Sequence, residues 1–498
     1  MGSLRVFVYL SAYLGQAAAA YGAERPQVLV DLANRAHSVP AEFAADALLR
    51  IAAASPTAEP AWKRQLIEDA FRIAAGAQQP YARRAWLKSH GGLAEKAFAQ
   101  GLDACTLQCR AVEAMLALDP KEAREMFEQI PAPSVPRLSC EDALAYDVSA
   151  FYATLGDVAQ QAFSPKEFAL QQPLHLLERY VPDLTSPVQA GPIATLLTGA
   201  PVPPAQLEGL MDAFASALKQ LSGDGRAFSA TISGQSDAAA VEALASTGGR
   251  QRINSLPVLD AWRSYLVRHL GGSVCGDLGG AGSNGLSVAM NAAGSADPAY
   301  SGALGAVRYF NENMRTGALP AISDQEAQPA NLDSQARVMG PCESVECRQL
   351  STQFGSLVLG PAGMAYTEEQ KASAEWAGKL REYLESLSGW KSADDPAEYF
   401  LWKAHYYSDL FHVLPNGANR DIVLSTFLAW LEQNDYQRDH RVEWFYQVNA
   451  LIISAFADPL AMKTTMRELR NSGDPVIAFY AELERVLPRP FEHTVSLL

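Results

Sequence analysis

The stretch AEFAADALLRIAAASPTAEPAWKRQLIEDAFRIAA, residues 41–75, decides the fold class of this chain. In Ala41–Ala54 and again in Glu59–Ala75, large apolar residues recur at the three- and four-residue spacing of a helix that buries one face. Pro56 and Pro60 lie between the two patterns, and a proline is harmless in the first turn of a helix, where its missing N–H would have no partner. The stretch therefore predicts two amphipathic helices joined by a short turn, which normally pack as an antiparallel pair.

The helical pattern extends over most of the chain. It continues from Gln27 to about Phe163, and strong amphipathic helices rich in aromatic residues return from Thr367 to Pro488. The period-two alternation that is typical of strands is not sustained anywhere. The sequence therefore predicts an all-α fold, in which antiparallel helix pairs stack as an α-solenoid-like or α/α toroid array with a Gly/Ser-rich irregular middle segment.

One stretch carries a family likeness. Cys109–Ile130 reads CRAVEAMLALDPKEAREMFEQI, with small residues on a first helix, the turn Leu118-Asp119-Pro120 and a second amphipathic helix. It resembles one helix-turn-helix junction of a tetratricopeptide repeat, although the likeness covers about one repeat of roughly 34 residues and the fuller Trp-Leu-Gly-Tyr consensus is absent. The resemblance implies a solenoid-like way of packing helices and says nothing about a ligand.

Composition divides the chain into four predicted parts. Residues 1–20 have the pattern of a cleaved signal peptide, with Arg5, the uncharged apolar run Val6–Leu14 and the small residues Ala18-x-Ala20. The sequence GAPVPP at Gly199–Pro204 interrupts the helical pattern, and Pro-rich breaks of this kind are typical of linkers. The prediction is an N-terminal helical-repeat-like domain at 21–200, a Gly/Ser-rich segment with helical islands at 201–365 and an aromatic-rich C-terminal helical domain at 366–498.

Charge and targeting exclude several partners. The signal peptide predicts an exported protein, periplasmic or extracellular, and the lack of an Asn-x-Ser/Thr sequon fits a bacterial protein. No later stretch has the about 20 apolar residues of a membrane span. The formal net charge is −15 and Lys and Arg form no cluster, which excludes phosphate-dependent binding of nucleic acid. A protein or a glycan remains as a partner that is compatible with this charge. Nothing in the sequence indicates the oligomeric state.

Six cysteines form two trios along the chain: Cys105, Cys109 and Cys140, then Cys275, Cys342 and Cys347. Export favours disulfides, and we expect at least one bridge to fasten the Gly-rich middle segment. Complete pairing needs a bridge between the trios; otherwise each trio keeps a thiol. A zinc site is disfavoured because neither close pair has the two-residue spacing of a zinc knuckle.

The glycine-rich run Gly280–Gly285 matches two motifs formally. Its glycine spacing is that of dinucleotide-binding loops, and Ala281-x-Ser283-x-Gly285 is a loose variant of the hydrolase nucleophile elbow. Both motifs require a strand before the glycines, whereas a predicted helix that ends near Leu270 and further glycines precede them here. An irregular loop is the better interpretation, and no cofactor is predicted.

Titratable side chains concentrate on the predicted helix Pro396–Leu414. At about 100° per residue, four of them share one narrow stripe opposite the apolar face, namely Glu398, His405, Asp409 and His412. His440 and Glu443 follow on the next helical segment. A solvated polar face is the favoured interpretation. The alternative is a site with His405, Asp409, His412 and His440 as metal ligands or with Glu398, Asp409 and Glu443 as catalytic carboxylates.

Two functions remain open at this point. Helix arrays form extended concave surfaces for partners, and no specific catalytic motif is present, so an exported scaffold or binding protein of unknown ligand is favoured. The alternative is a secreted carbohydrate-active enzyme on an α/α barrel, with carboxylates beside aromatic platforms such as Trp390, Trp402 and Trp444. Aromatic residues are more often core than platform. Whether the stripe at His405 faces a pocket or open water distinguishes the two.

Overall fold

The computed structural model of the protein describes residues 26–55, 59–77, 82–85, 97–139, 144–232, 236–275, 305–327, 331–333, 345–360, 363–391, 396–414, 417–433, 441–457 and 459–488. Within these ranges the chain is helical apart from loops and two short strand pairs. The predicted all-α class is confirmed. The predicted signal peptide, the Gly280–Gly285 run with Ser283, and His440 lie outside the described residues.

The first helices pack in the order in which they follow each other. They are α1 (Gln27–Ala36), α2 (Ala41–Ala54), α3 (Pro60–Ala74), α4 (Ala104–Leu116), α5 (Pro120–Phe127) and α6 (Ser149–Gln161). Each of α1 to α5 contacts the next, and α6 packs on both α4 and α5. Asp119 caps α5, because its carboxylate accepts from the backbone N–H of Glu122 at 3.1 Å and Pro120 begins the helix. The stretch 109–130 thus forms a packed helix pair.

The next part of the chain runs from the end of the predicted N-terminal domain into the predicted Gly/Ser-rich segment. It comprises α7 (Pro165–Ala169), α8 (Gln172–Tyr180), a 3₁₀ turn (Pro187–Gln189), α9 (Ala190–Thr198), α10 (Pro204–Gln220), α11 (Gly225–Ile232), α12 (Ser236–Arg250) and α13 (Leu256–Leu270). The helices α11 and α12 lie in a stretch expected to be irregular. Small residues let α12 pack closely on α9, and such contacts override local propensity. Helix α9 also packs on α10 across the Gly199–Pro204 break.

The C-terminal helices form the third group. After a π-helical turn (Phe310–Met314) come α14 (Val345–Val358), α15 (Glu368–Lys371), α16 (Ala374–Gly389), α17 (Pro396–Val413), α18 (Ala418–Gln433), α19 (Arg441–Ala457), α20 (Pro459–Arg470) and α21 (Pro475–Val486). Helix α17 packs on α18 and α19, and α19 packs on α20 and α21. Asp474 caps the start of α21, because its carboxylate accepts from the N–H groups of Val476 and Ile477.

Two strand pairs connect distant parts of the chain. The strand β1 (Ala82–Ala85) pairs with β2 (Leu144–Asp147) in antiparallel register, and β3 (Ser273–Cys275) pairs with β4 (Asn331–Asp333) in parallel register. Each has only three or four residues. Their structural effect is local: β2 leads directly into α6 and positions the residues at the start of that helix.

The first and last helices share a core. The ring of Phe43 on α2 lies 4.5 Å from that of Phe445 on α19, and the hydroxyl of Tyr480 on α21 donates to the Phe43 carbonyl at 3.0 Å. Two ion pairs frame this contact. Arg50 lies 2.8 Å from Glu484, and Arg441 lies 3.2 Å from Glu42. The two ends of the described chain are therefore joined by packing and by buried charge pairs.

The cysteines fall into two states. Cys105 and Cys109, one turn apart on α4, are buried free thiols, and the hydrogen bond between them together with burial raises the pKa of Cys105. Cys347 is disulfide-bonded, and its partner lies outside the described side chains. No helix within the described ranges has both the length and the apolar character that crossing a membrane requires.

Candidate ligand-binding site

The stripe predicted on α17 is a half-exposed histidine–aspartate pair. His405 Nε2 lies 3.2 Å from Asp409 Oδ2, and the two side chains are 35% and 33% exposed. His412 is exposed, and its Nδ1 lies 2.6 Å from the Ser408 carbonyl oxygen. Burial raises the pKa of Asp409, and the neighbouring histidines oppose that shift. His405 and Asp409 are therefore partly exposed to solvent.

The other nominated residues do not complete a site within the described part of the chain. The side chain of Glu398 and all of His440 lie outside it. Glu443 is described and is 5% exposed, on α19. Among the described residues no group of three or more His, Cys, Asp or Glu side chains is placed to hold a metal ion. The metal and catalytic interpretations of the stripe remain predictions.

The three tryptophans considered as platforms differ in burial. Trp444 and Trp390 are 1% and 7% exposed, and Trp402 is half-buried. The Trp444 indole N–H donates to the Leu431 carbonyl at 3.1 Å. Trp390 and Trp444 are thus core residues that hold neighbouring helices together, and their faces are not available to a ligand.

A cavity of about 440 Å³ lies elsewhere, between α6, α9 and α12. It is lined by Ala145, Tyr146, Asp147, Ser149, Tyr152, Ala153, Gly156, Asp157, Gln160, Val188, Gly191, Pro192, Thr195, Leu196, Gly199, Thr231, Asp237 and Ala240. Ser149, Gln160 and Thr195 are exposed and form its rim, whereas Tyr152, Thr231 and Asp237 are buried. The volume is within the range of roughly 300–1,000 Å³ that is typical of small-molecule sites.

Glycines bring the walls of this cavity together. A Cβ atom on Gly191 of α9 would lie 2.1 Å from Asp237 Oδ1 on α12, and one on Gly156 of α6 would lie 3.2 Å from Leu196 Cδ1. Any side chain at position 191 would therefore displace Asp237. The two glycines allow α9 to approach α6 and α12 closely. The cavity lies beside these contacts, between the three helices.

The polar lining is acidic. Three carboxylates, Asp147, Asp157 and Asp237, border the cavity, and none of its lining residues is Lys, Arg or His. Asp147 accepts a hydrogen bond from the Ser149 N–H at 3.0 Å. Asp157 is half-buried and forms no hydrogen bond or ion pair with any described residue. This charge distribution repels anions and leaves a carboxylate available to a ligand.

A buried tyrosine adds a hydrogen-bond donor. Tyr152 is 2% exposed, and burial raises its pKa far above the ordinary value, so its phenol stays protonated. Gln189 Oε1 accepts from the N–H groups of Thr185 and Ser186 at 2.8 and 2.9 Å, which fixes the orientation of the amide. Gln189 Nε2 therefore donates to the Tyr152 oxygen, at 2.9 Å. The phenol proton itself has no acceptor among the described residues.

Sequence patterns did not reveal this cavity. Its residues come from β2, α6, the 3₁₀ turn, α9, α11 and α12, and no two of its carboxylates share a motif. The available signal was the placement of Gly156 inside α6, because glycine in a helix interior costs about 1 kcal/mol and indicates a close approach of backbones. Comparisons with protein-family models, with curated proteins and with solved structures found no match to the chain.

Proposed function

We propose that this chain is an exported binding protein whose ligand occupies the cavity between α6, α9 and α12. The observation that carries the proposal is the lining: a protonated phenol and an unpaired carboxylate border one space of ligand size. Export rests on the signal-peptide pattern of residues 1–20. The carbohydrate-active enzyme gains no support from Asp409, which pairs with His405, or from Glu443, which is buried.

We also propose that the helix pairs form a closed array of the α/α toroid kind, with α4 and α5 packed as in a tetratricopeptide repeat. What supports closure is that α2 packs against α19 and α21, since the terminal helices of an open solenoid do not meet. Small-angle X-ray scattering should then give a radius of gyration of about 23 Å, the value for a compact chain of this length. A clearly larger radius with an elongated profile would contradict closure.

Blocking the cavity should abolish binding without unfolding the protein. Thr195 is exposed at the rim on α9, so Thr195→Trp adds a large ring over the opening at little cost in stability. Thermal unfolding is measured with three probes of different charge: maltotriose, putrescine and citrate. We expect a neutral or cationic probe to raise the Tm of the parent protein, because a ligand that binds only the folded state stabilises it.

The control for this experiment is Ser216→Trp, at an exposed position on α10 that does not line the cavity. It should keep the ligand-induced rise in Tm that Thr195→Trp loses. If no probe shifts the Tm of the parent protein, the proposed binding function is not supported. If the rise survives in Thr195→Trp, the ligand binds elsewhere and the cavity is not the site.

A further inference from the structure

We infer that the cavity between α6, α9 and α12 binds a neutral carbohydrate, a short oligosaccharide that presents hydroxyl groups to Tyr152 and Asp157. This inference rests on the proposed binding function and names the class of ligand. It follows from the hydrogen bonds that the lining leaves open, because a ligand that enters a buried polar site must satisfy both the donors and the acceptors found there.

The donor side comes from Tyr152. Its oxygen already accepts from Gln189, whose amide cannot rotate without losing the two backbone N–H groups that its Oε1 accepts. The remaining capacity of the phenol is its own proton. A buried donor without an acceptor is unfavourable, so a ligand oxygen placed against it is favoured.

The acceptor side comes from Asp157. Its carboxylate makes no contact with a described donor and lies half-buried on α6, one helical turn after Ala153 and five residues after Tyr152. A hydrogen bond to a charged group is about twice as strong as one between neutral groups. A sugar hydroxyl both donates and accepts, so one kind of group satisfies Asp157 and Tyr152 together.

Other ligand classes satisfy only part of this lining. An anion meets three carboxylates and no cationic lining residue. An ammonium ion pairs with the carboxylates but has no acceptor for the Tyr152 proton. An apolar ligand would remove water from Asp157 without replacing its hydrogen bonds. The half-buried ring of Tyr146 adds an apolar face beside the polar groups, the combination that suits the two sides of a sugar ring.

Isothermal titration calorimetry tests the inference with neutral trisaccharides of glucose, mannose, galactose and N-acetylglucosamine as the probes, and with putrescine as the cationic comparison. We expect at least one trisaccharide to bind and putrescine to bind at least tenfold more weakly. Asp157→Asn and Tyr152→Phe keep the shape of each side chain and remove one charge or one hydroxyl. Each should lower the affinity for the trisaccharide at least tenfold.

Matched controls separate a lost contact from a disturbed fold. Tyr180→Phe removes a buried phenol on α8, and Asp212→Asn removes an exposed carboxylate on α10; neither residue lines the cavity. Both controls should bind the trisaccharide as the parent protein does. Equal binding by Tyr152→Phe, Asp157→Asn and the parent would place the sugar elsewhere and overturn the inference.

The remaining outcomes distinguish the inference from the function on which it rests. Tight binding of putrescine that is lost in Asp157→Asn, without binding of a trisaccharide, would keep the binding function and overturn the carbohydrate assignment. Binding of none of the probes would contradict both. Release of reducing sugar that stops in Asp157→Asn would support the ligand class and overturn the purely binding role.

Discussion

Replacing Arg50 by Met should lower the free energy of unfolding by about 3–5 kcal/mol, the usual cost of removing one partner of a buried ion pair. The Arg50 guanidinium on α2 lies 2.8 Å from Glu484 on α21 and donates to the Leu487 carbonyl at 2.7 Å. The two charged side chains are only 13% and 3% exposed. Without Arg50, the Glu484 carboxylate stays buried and loses the opposite charge that offsets the cost of removing it from water. Denaturant unfolding followed by circular dichroism measures the loss.

The same helix provides the control. Arg485 pairs with Glu482 on the surface of α21, where the side chains are 49% and 14% exposed, so Arg485→Met should cost no more than about 1 kcal/mol. Combining Arg50→Met with Glu484→Met should recover much of the stability, because an apolar pair of similar volume replaces two buried charges. If Arg50→Met were no more destabilising than Arg485→Met, the packing of α2 against α21 would be wrong.

Helix positions were predictable because their signals are local. The spacing of apolar residues in 41–75 gave α2 and α3, and Asp-Pro pairs marked the starts of α5 and α21. The His405–Asp409 pair was also readable, because residues four apart share a helix face and the opposite face of α17 is apolar. Each of these features depends on fewer than about 20 consecutive residues.

Contacts between residues that are distant in the sequence could not be predicted from it. Glu42 and Arg441 meet although 399 positions separate them, and no local pattern indicates that pair. The burial of Glu443 depends on how α17 and α19 pack, so the helical wheel alone did not predict it. Helix α12 was missed because it has few large apolar residues and ends in Ser-Thr-Gly-Gly-Arg, although its alanines favour a helix. Its contact with α9, which Gly191 makes possible, stabilises it instead.

A buried lysine is the least expected feature of the C-terminal helices. Lys403 on α17 is 2% exposed, and its ammonium donates to the carbonyls of Ser388 and Trp390 at 3.0 and 2.9 Å and to the Tyr399 hydroxyl at 3.0 Å. These carbonyls end α16, where the helix dipole favours a cation. No described carboxylate forms an ion pair with Lys403. Burial, with a smaller effect from Lys391, lowers its pKa to about 8.

This lysine should make the protein more stable as the pH rises above 8. Below pH 8 the Lys403 side chain is protonated in both the folded and the unfolded protein. The free energy of unfolding is then lowered by the full cost of burying the charge. Above pH 8 the folded protein releases the proton while the unfolded chain, with a pKa near 10.5, still holds it. The unfolded state then binds more protons, and the free energy of unfolding rises with pH. The expected gain between about pH 7 and 9.5 is about 2 kcal/mol.

The measurement is denaturant unfolding at several pH values, compared between the parent protein and two variants. Lys403→Met has no proton to release and Lys403→Arg stays charged throughout this range, so neither should show the rise that the parent shows. Other groups titrate alike in all three proteins, and the difference between the curves therefore isolates Lys403. A pH-independent difference would mean that Lys403 keeps its proton in the folded state, and that the carbonyls at the end of α16 and the Tyr399 hydroxyl offset the whole cost of its burial.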